Sequence, residues 1–198
     1  WPRTLDRLGR WTIAATPRPP IRSAPPSGPS CLPSSASSSS RVPIPHACFV
    51  RGVNLNGPAV TIDGNAWQSA SAAQVTTTGS GVSQATVPFP AVTGGVATML
   101  NTATRLAAGA ERSLPTDNGT YLASLYATSP GNDSDASLLT VQGVAPDSSG
   151  AFRPQASDGG QAWSRLGPYR VDVTTGKVTI AVTKGALNFA GIELWYPD

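Results

Sequence analysis

The chain predicts an all-β protein, an antiparallel jelly-roll β-sandwich preceded by a disordered Pro/Ser-rich segment. Three observations carry that prediction. Gly and Pro together contribute 39 of 198 residues while charged residues make up only 13%, too many turn formers for a helix-rich fold. Apolar residues alternate with polar ones in short runs bounded by Gly, Asn and Asp. The first 46 residues show neither alternation nor helical periodicity.

That N-terminal segment, residues 1–46, reads "TPRPPIRSAPPSGPS" and then "LPSSASSSSR". Such composition does not bury enough apolar surface to offset chain entropy. It suits a linker or stalk with polyproline character joining an upstream module, or it is a reading-frame artefact without a role. Up to residue 45 it holds Arg3, Arg7, Arg10, Arg18, Arg22 and Arg41 against Asp6, a net charge of +5. The whole chain carries +3, so the remainder carries 3 − 5 = −2 and offers no cationic stripe for nucleic acid. "WTIAAT" is too short for a signal-peptide core, and no stretch approaches the roughly 18 apolar residues of a membrane span. The chain does not begin with Met and reads as a fragment, with other domains of a larger chain as expected neighbours. Cys31, His46 and Cys48 lie close in sequence, but their spacing matches no zinc finger or ribbon and a fourth ligand is missing. Incidental or singly bridged cysteines are the better reading.

The domain is expected over residues 47–198. "FVRGVNL" leads into "GPAVTID" across Asn56, Gly57 and Pro58, and Asp63-Gly64-Asn65 makes the next tight turn. Val53, Leu55, Val60 and Ile62 are expected to face a core. Residues 68–119 are Ser/Thr/Ala-rich and predict irregular strands or loops, with one or two helical turns conceivable in "TMLNTATRLAAG". "TYLASLYAT" places Tyr121, Ala123 and Leu125 on one face and Leu122, Ser124 and Tyr126 on the other. "SLLTVQG" is a further strand. "YRVDVTTGKVTIAVTKG" reads as a hairpin burying Val171 and Val173, then Val178, Ile180 and Val182. "LNFAGIELWY" reads as a closing strand covered on one side.

"GVNLNGPAVTIDGNAWQSASAAQ", "NGTYLASLYA", "WSRLGPYRVDVTTGKVTIAV" and "LNFAGIELW" together resemble, over residues 49–196, the malectin-like and galactose-binding-like β-sandwich domains of secreted or surface proteins. The resemblance implies a jelly roll and non-catalytic binding of carbohydrate, as an accessory module of a secreted or cell-surface protein. The aromatics and acid that hold sugar in malectin are not carried over: "TSPGNDSD" after the central strand has no aromatic, and "TKGAL" before the last strand has no acid.

A sugar site needs a flat apolar face beside fixed donors and acceptors. Trp67, Tyr126, Phe152 with Arg153, and Trp163 with Arg165 are the candidates. Each ring also has a packing role open to it, as a cap on a core or an anchor for a loop. Asn132, Asp133 and Asp135 set oxygen ligands at alternate positions, which suits a structural calcium or a solvated acidic turn. No other cofactor is expected. Beyond Cys48 there is neither histidine nor cysteine, and no G-x-S-x-G, which excludes Ser/His/Asp and Cys/His catalysis in the domain. Asp63, Asp117, Asp133, Asp135 and Glu193 are carboxylates without a pairing signal. Asn118-Gly-Thr120 and Asn132-Asp-Ser134 are sequons, meaningful in a eukaryotic secretory route. The alternative function is a structural or protein-interaction sandwich without a sugar site.

Overall fold

A computed structural model describes residues 3–5, 11–13, 48–78, 81–85, 88–128, 137–145, 151–152 and 161–197. The chain forms two compact units, Trp1–Ser30 and Cys31–Asp198. In the first, β1 (Arg3–Leu5) pairs antiparallel with β2 (Trp11–Ile13), a ladder the composition does not announce.

Among the described residues, the second unit is a β-sandwich-like fold with one short helix. Its strands are β3 (Cys48–Asn54), β4 (Val60–Ile62), β5 (Asn65–Ser69), β6 (Thr76–Thr78), β7 (Gly81–Ala85) and β8 (Pro88–Phe89), then β9 (Thr102–Ala107), β10 (Glu111–Pro115) and β11 (Gly119–Thr128). β12 (Ser137–Val141), β13 (Ala151–Phe152), β14 (Gln161–Val173), β15 (Lys177–Lys184) and β16 (Ala186–Tyr196) complete it, and helix α1 (Gly94–Leu100) precedes β9. The larger sheet runs β4-β5-β3-β16-β11-β14-β8, with β9 on the first part of β16 and β7 on β9. The smaller sheet runs β13-β12-β15-β10-β6.

Between the sheets lies a mainly aliphatic core that also holds Tyr121 and Phe189. Val53, Leu125, Val171, Val173, Ile192 and Leu194 of the larger sheet, with Leu55 just beyond β3, meet Leu114, Leu139, Val141, Val178, Ile180 and Val182 of the smaller. Alternation places these side chains inward as expected, since every second residue of a strand shares a face.

Pairing departs from expectation in two places. β3 and β4 are not neighbours: β5 lies between them, antiparallel to β4 and parallel to β3, with Gly52 beside Trp67. The Asp63-Gly64 turn does close the β4–β5 hairpin, both residues at positive φ (51° and 79°) as such a tight turn requires. Val53 and Leu55 consequently face the inner core, whereas Val60 and Ile62 belong to a separate cluster on the opposite face.

Nor do β14 and β15 form a hairpin. β14 pairs with β11 and β15 with β10 and β12, so residues 174–176 cross from one sheet to the other. The Thr116 N–H donates to the Gly176 carbonyl and the Gly176 N–H to Asn118 Oδ1, stapling this crossing to the β10–β11 turn. Alternation identifies a buried face but not a partner strand, and two segments facing each other across a sandwich alternate as a hairpin does.

β16 is covered on both sides: every residue from Ala186 to Leu194 is buried. It is the central strand, between β11 on one edge and β9 and β3 on the other. Helix falls at Gly94–Leu100, upstream of most of the stretch that hinted at it, and "TATRLA" is strand β9.

Candidate functional site

The outer face of the larger sheet, away from the smaller one, carries a second cluster: Ile62, Trp67, Met99, Leu100, Ala103, Tyr126 and Ala190. Two glycines make room for it. A Cβ on Gly52 would overlap the Trp67 indole, and one on Gly191 would overlap Met99 Sδ and press on the same indole. The Trp67 ring therefore lies across β3 and β16, reached by α1 through Met99. Tyr126, opposite Gly191 on β11, meets Trp67 edge-on, with centroids 5.6 Å apart and planes at 76°. Trp163 of β14 lies nearly parallel to Tyr126, at 6.3 Å and 17°, and its Nε1 donates to the Pro90 carbonyl at 3.0 Å.

A polar couple sits in this aromatic surface. Arg165, directly opposite Tyr126, donates through Nε to Glu193 Oε1 at 2.6 Å, and the Tyr126 hydroxyl donates to the same oxygen at 3.3 Å. Glu193 is 2% exposed, so the arginine supplies both the charge and a hydrogen bond that a buried carboxylate requires. Ser124, opposite Glu193 across β11 and β16, is fully buried with its hydroxyl unpartnered.

Four of the sequence candidates are thus brought together: Trp67, Tyr126, Trp163 and Arg165. Trp67 and Tyr126 are closed to solvent at 2% and 0% exposure, and Trp163 is half-buried. Phe89, one of the exposed large apolar residues, pairs through its backbone with Ala162, and alternation sets its side chain on the face opposite Trp163. Phe152 lies apart: its backbone pairs with Ser137 in the smaller sheet. Its side chain, Arg153, and the acidic loop of Asn132, Asp133 and Asp135 lie outside the described residues.

Sequence reading names Glu193 without its partner and passes over Phe89, Pro90 and a groove at one end of the sandwich. Glu193 was visible as a lone acid between Ile192 and Leu194, and that isolation in an apolar strand signals a buried pair; Phe89 and Pro90 gave no signal. At one end of the sandwich, Arg51, Pro115, Thr116, Asp117, Asn118 and Gly176 line an open groove of about 460 Å³. Arg51 donates to the carbonyls of Pro115 (2.6 Å) and Ala73 (3.1 Å) and to Gln68 Oε1 (2.9 Å), and burial lowers its pKa. Below the groove the Tyr121 hydroxyl donates to the Asp117 carbonyl, and Tyr121 stacks on Tyr196. Burial, with Tyr196 and Asp117 nearby, pushes the Tyr121 phenol up to about 12. A smaller cleft of about 200 Å³ lies between Val141–Ala145 and Pro168–Val171.

Cys48 is disulfide-bonded, which commits its sulfur and removes it from the zinc arrangement weighed above. Among the described residues no group of three His, Cys, Asp or Glu is placed to hold a metal, and no helix is long and apolar enough to cross a membrane. Fold and site define a β-sandwich-like module whose larger sheet has a central strand, β16, covered on both faces. No protein-family model, curated protein or solved structure matches the chain.

Proposed function

We propose that the chain is a non-catalytic, carbohydrate-binding-like accessory module of a secreted or surface protein. The ligand class comes from the resemblance of residues 49–196 to malectin-like and galactose-binding-like domains, a fold-level analogy. The observation that carries the reading is Trp163. Its ring is backed by Tyr126, fixed by the bond to Pro90 and partly open to solvent. A rigid aromatic face held in place is what the C–H side of a sugar ring stacks on. The disulfide at Cys48 suits an oxidising compartment.

A second reading, a structural or protein-interaction module without a sugar site, is favoured by the burial of Trp67 and Tyr126 and by the commitment of Arg165 to Glu193. Titration of the chain with cellohexaose, xylohexaose and maltohexaose, followed by tryptophan fluorescence, separates the two. The first predicts a saturable change that Trp163→Ala abolishes while the chain stays folded. No response to any of the three favours the second.

A further inference from the structure

We propose that the groove at the sandwich end, between the β10–β11 and β14–β15 connections, is a second contact site, for adjacent hydroxyls of a neutral saccharide. The inference rests on the carbohydrate-binding reading but not on Trp163.

The groove has the right polar complement. Arg51 has five N–H donors and spends three on Gln68, Pro115 and Ala73, which holds the guanidinium in place and leaves two. Asn118 accepts from the Gly176 N–H through Oδ1, which fixes the amide and leaves its two Nδ2 donors. Asp117 is exposed and supplies a carboxylate acceptor; the Thr116 hydroxyl donates to the Leu114 carbonyl and keeps its lone pairs. Among the described residues neither Arg51 nor Asp117 makes an ion pair, so a cation and an anion line one groove without neutralising each other.

That combination selects against ligands that carry charge of one sign. An anion meeting Arg51 faces Asp117, and a cation meeting Asp117 faces Arg51. A hydroxyl both donates and accepts, so adjacent hydroxyls satisfy carboxylate, guanidinium and amide at once. The volume of about 460 Å³ lies within the roughly 300–1,000 Å³ of small-molecule sites, and the donors are held by backbone carbonyls and a turn rather than by mobile loops.

Amide spectra of the full chain titrated with maltohexaose, methyl β-galactoside and potassium glucuronate test this. The neutral sugars are expected to move Asn118 and Gly176. Asp117→Ala should weaken that response by about tenfold or more, since it removes a charged acceptor. Asn118→Asp, which keeps the Oδ1 that caps Gly176, should weaken it likewise, whereas Trp163→Ala should leave it intact. Neutral-sugar shifts confined to the surroundings of Trp163, or groove shifts that survive both groove substitutions, overturn the inference and leave the binding reading standing. Tighter binding of glucuronate than of the neutral sugars overturns the proposed chemistry. Silence toward every sugar overturns the reading and the inference together.

Discussion

The inner and outer faces of the larger sheet are closed by different chemistries. Inside, Val53, Leu125, Val171, Ile192 and Leu194 meet Val178, Ile180 and Val182 of the opposing sheet in a mainly aliphatic layer that also takes in Phe189 and Tyr121. Outside, a short helix, Trp67 and Tyr126 do the covering, and a buried ion pair is set among them. The inner layer asks only for apolar residues of suitable size at alternate positions, a demand many sequences meet. The outer layer asks for absences as well, because Gly52 and Gly191 must lack a Cβ for the Trp67 ring to lie flat. The outer face is therefore the more specific of the two and the easier to break with one substitution.

Trp67→Ala should do the greatest damage. Emptying a site bounded by Gly52, Gly191 and Tyr126 is expected to cost about 3–5 kcal/mol in chemical denaturation. It should also loosen Trp163, whose support runs through Tyr126. Arg165→Met follows: it strands Glu193 in a nearly dry site, and a loss of about 3 kcal/mol is expected, on the outer face alone. Gly52→Ala should cost about 1–3 kcal/mol by overpacking, despite a change of one methyl group. A loss near zero would mean that the indole does not lie on β3.

The inner face is probed by pH. Tyr121 has its folded pKa at about 12 against an ordinary 10.0, so between those values the unfolded chain loses the proton and the folded chain keeps it. Stability should fall as pH rises through that window and be independent of this group below it. Tyr121→Phe should flatten the decline. Smallest is Ser124→Ala, which removes a buried hydroxyl without a partner; a neutral or slightly stabilising result is expected from urea unfolding.

The same contrast explains what could be read in the chain. Inward residues of β11, β12, β14 and β15 follow from period-2 alternation, and the Asp63-Gly64 turn from its need for positive φ. Strand partners do not: alternation in "YRVDVTTGKVTIAV" is identical whether the halves pair or face one another across a core, and the ladders of β14 with β11 and of β15 with β10 and β12 show the second arrangement. β16 read as covered on one side because Glu193 and Gly191 interrupt its outward face, although one is neutralised and the other is where Trp67 rests. Of the candidate site, the aromatic and arginine positions were legible as residue types. Their convergence was not, since it depends on a parallel β3–β5 pairing that no local pattern announces. The groove was invisible for the same reason, being assembled from β3 and two turns distant in sequence.

The division between a closed Trp67–Tyr126 pair and an open Trp163 is measured most directly by adding a soluble paramagnetic chelate and recording ring-proton relaxation. Trp163 resonances should broaden strongly, while those of Trp67 and Tyr126 stay sharp. Broadening of Trp67 to the same extent as Trp163 would contradict the account, because the outer face would then be an open aromatic surface rather than a second core.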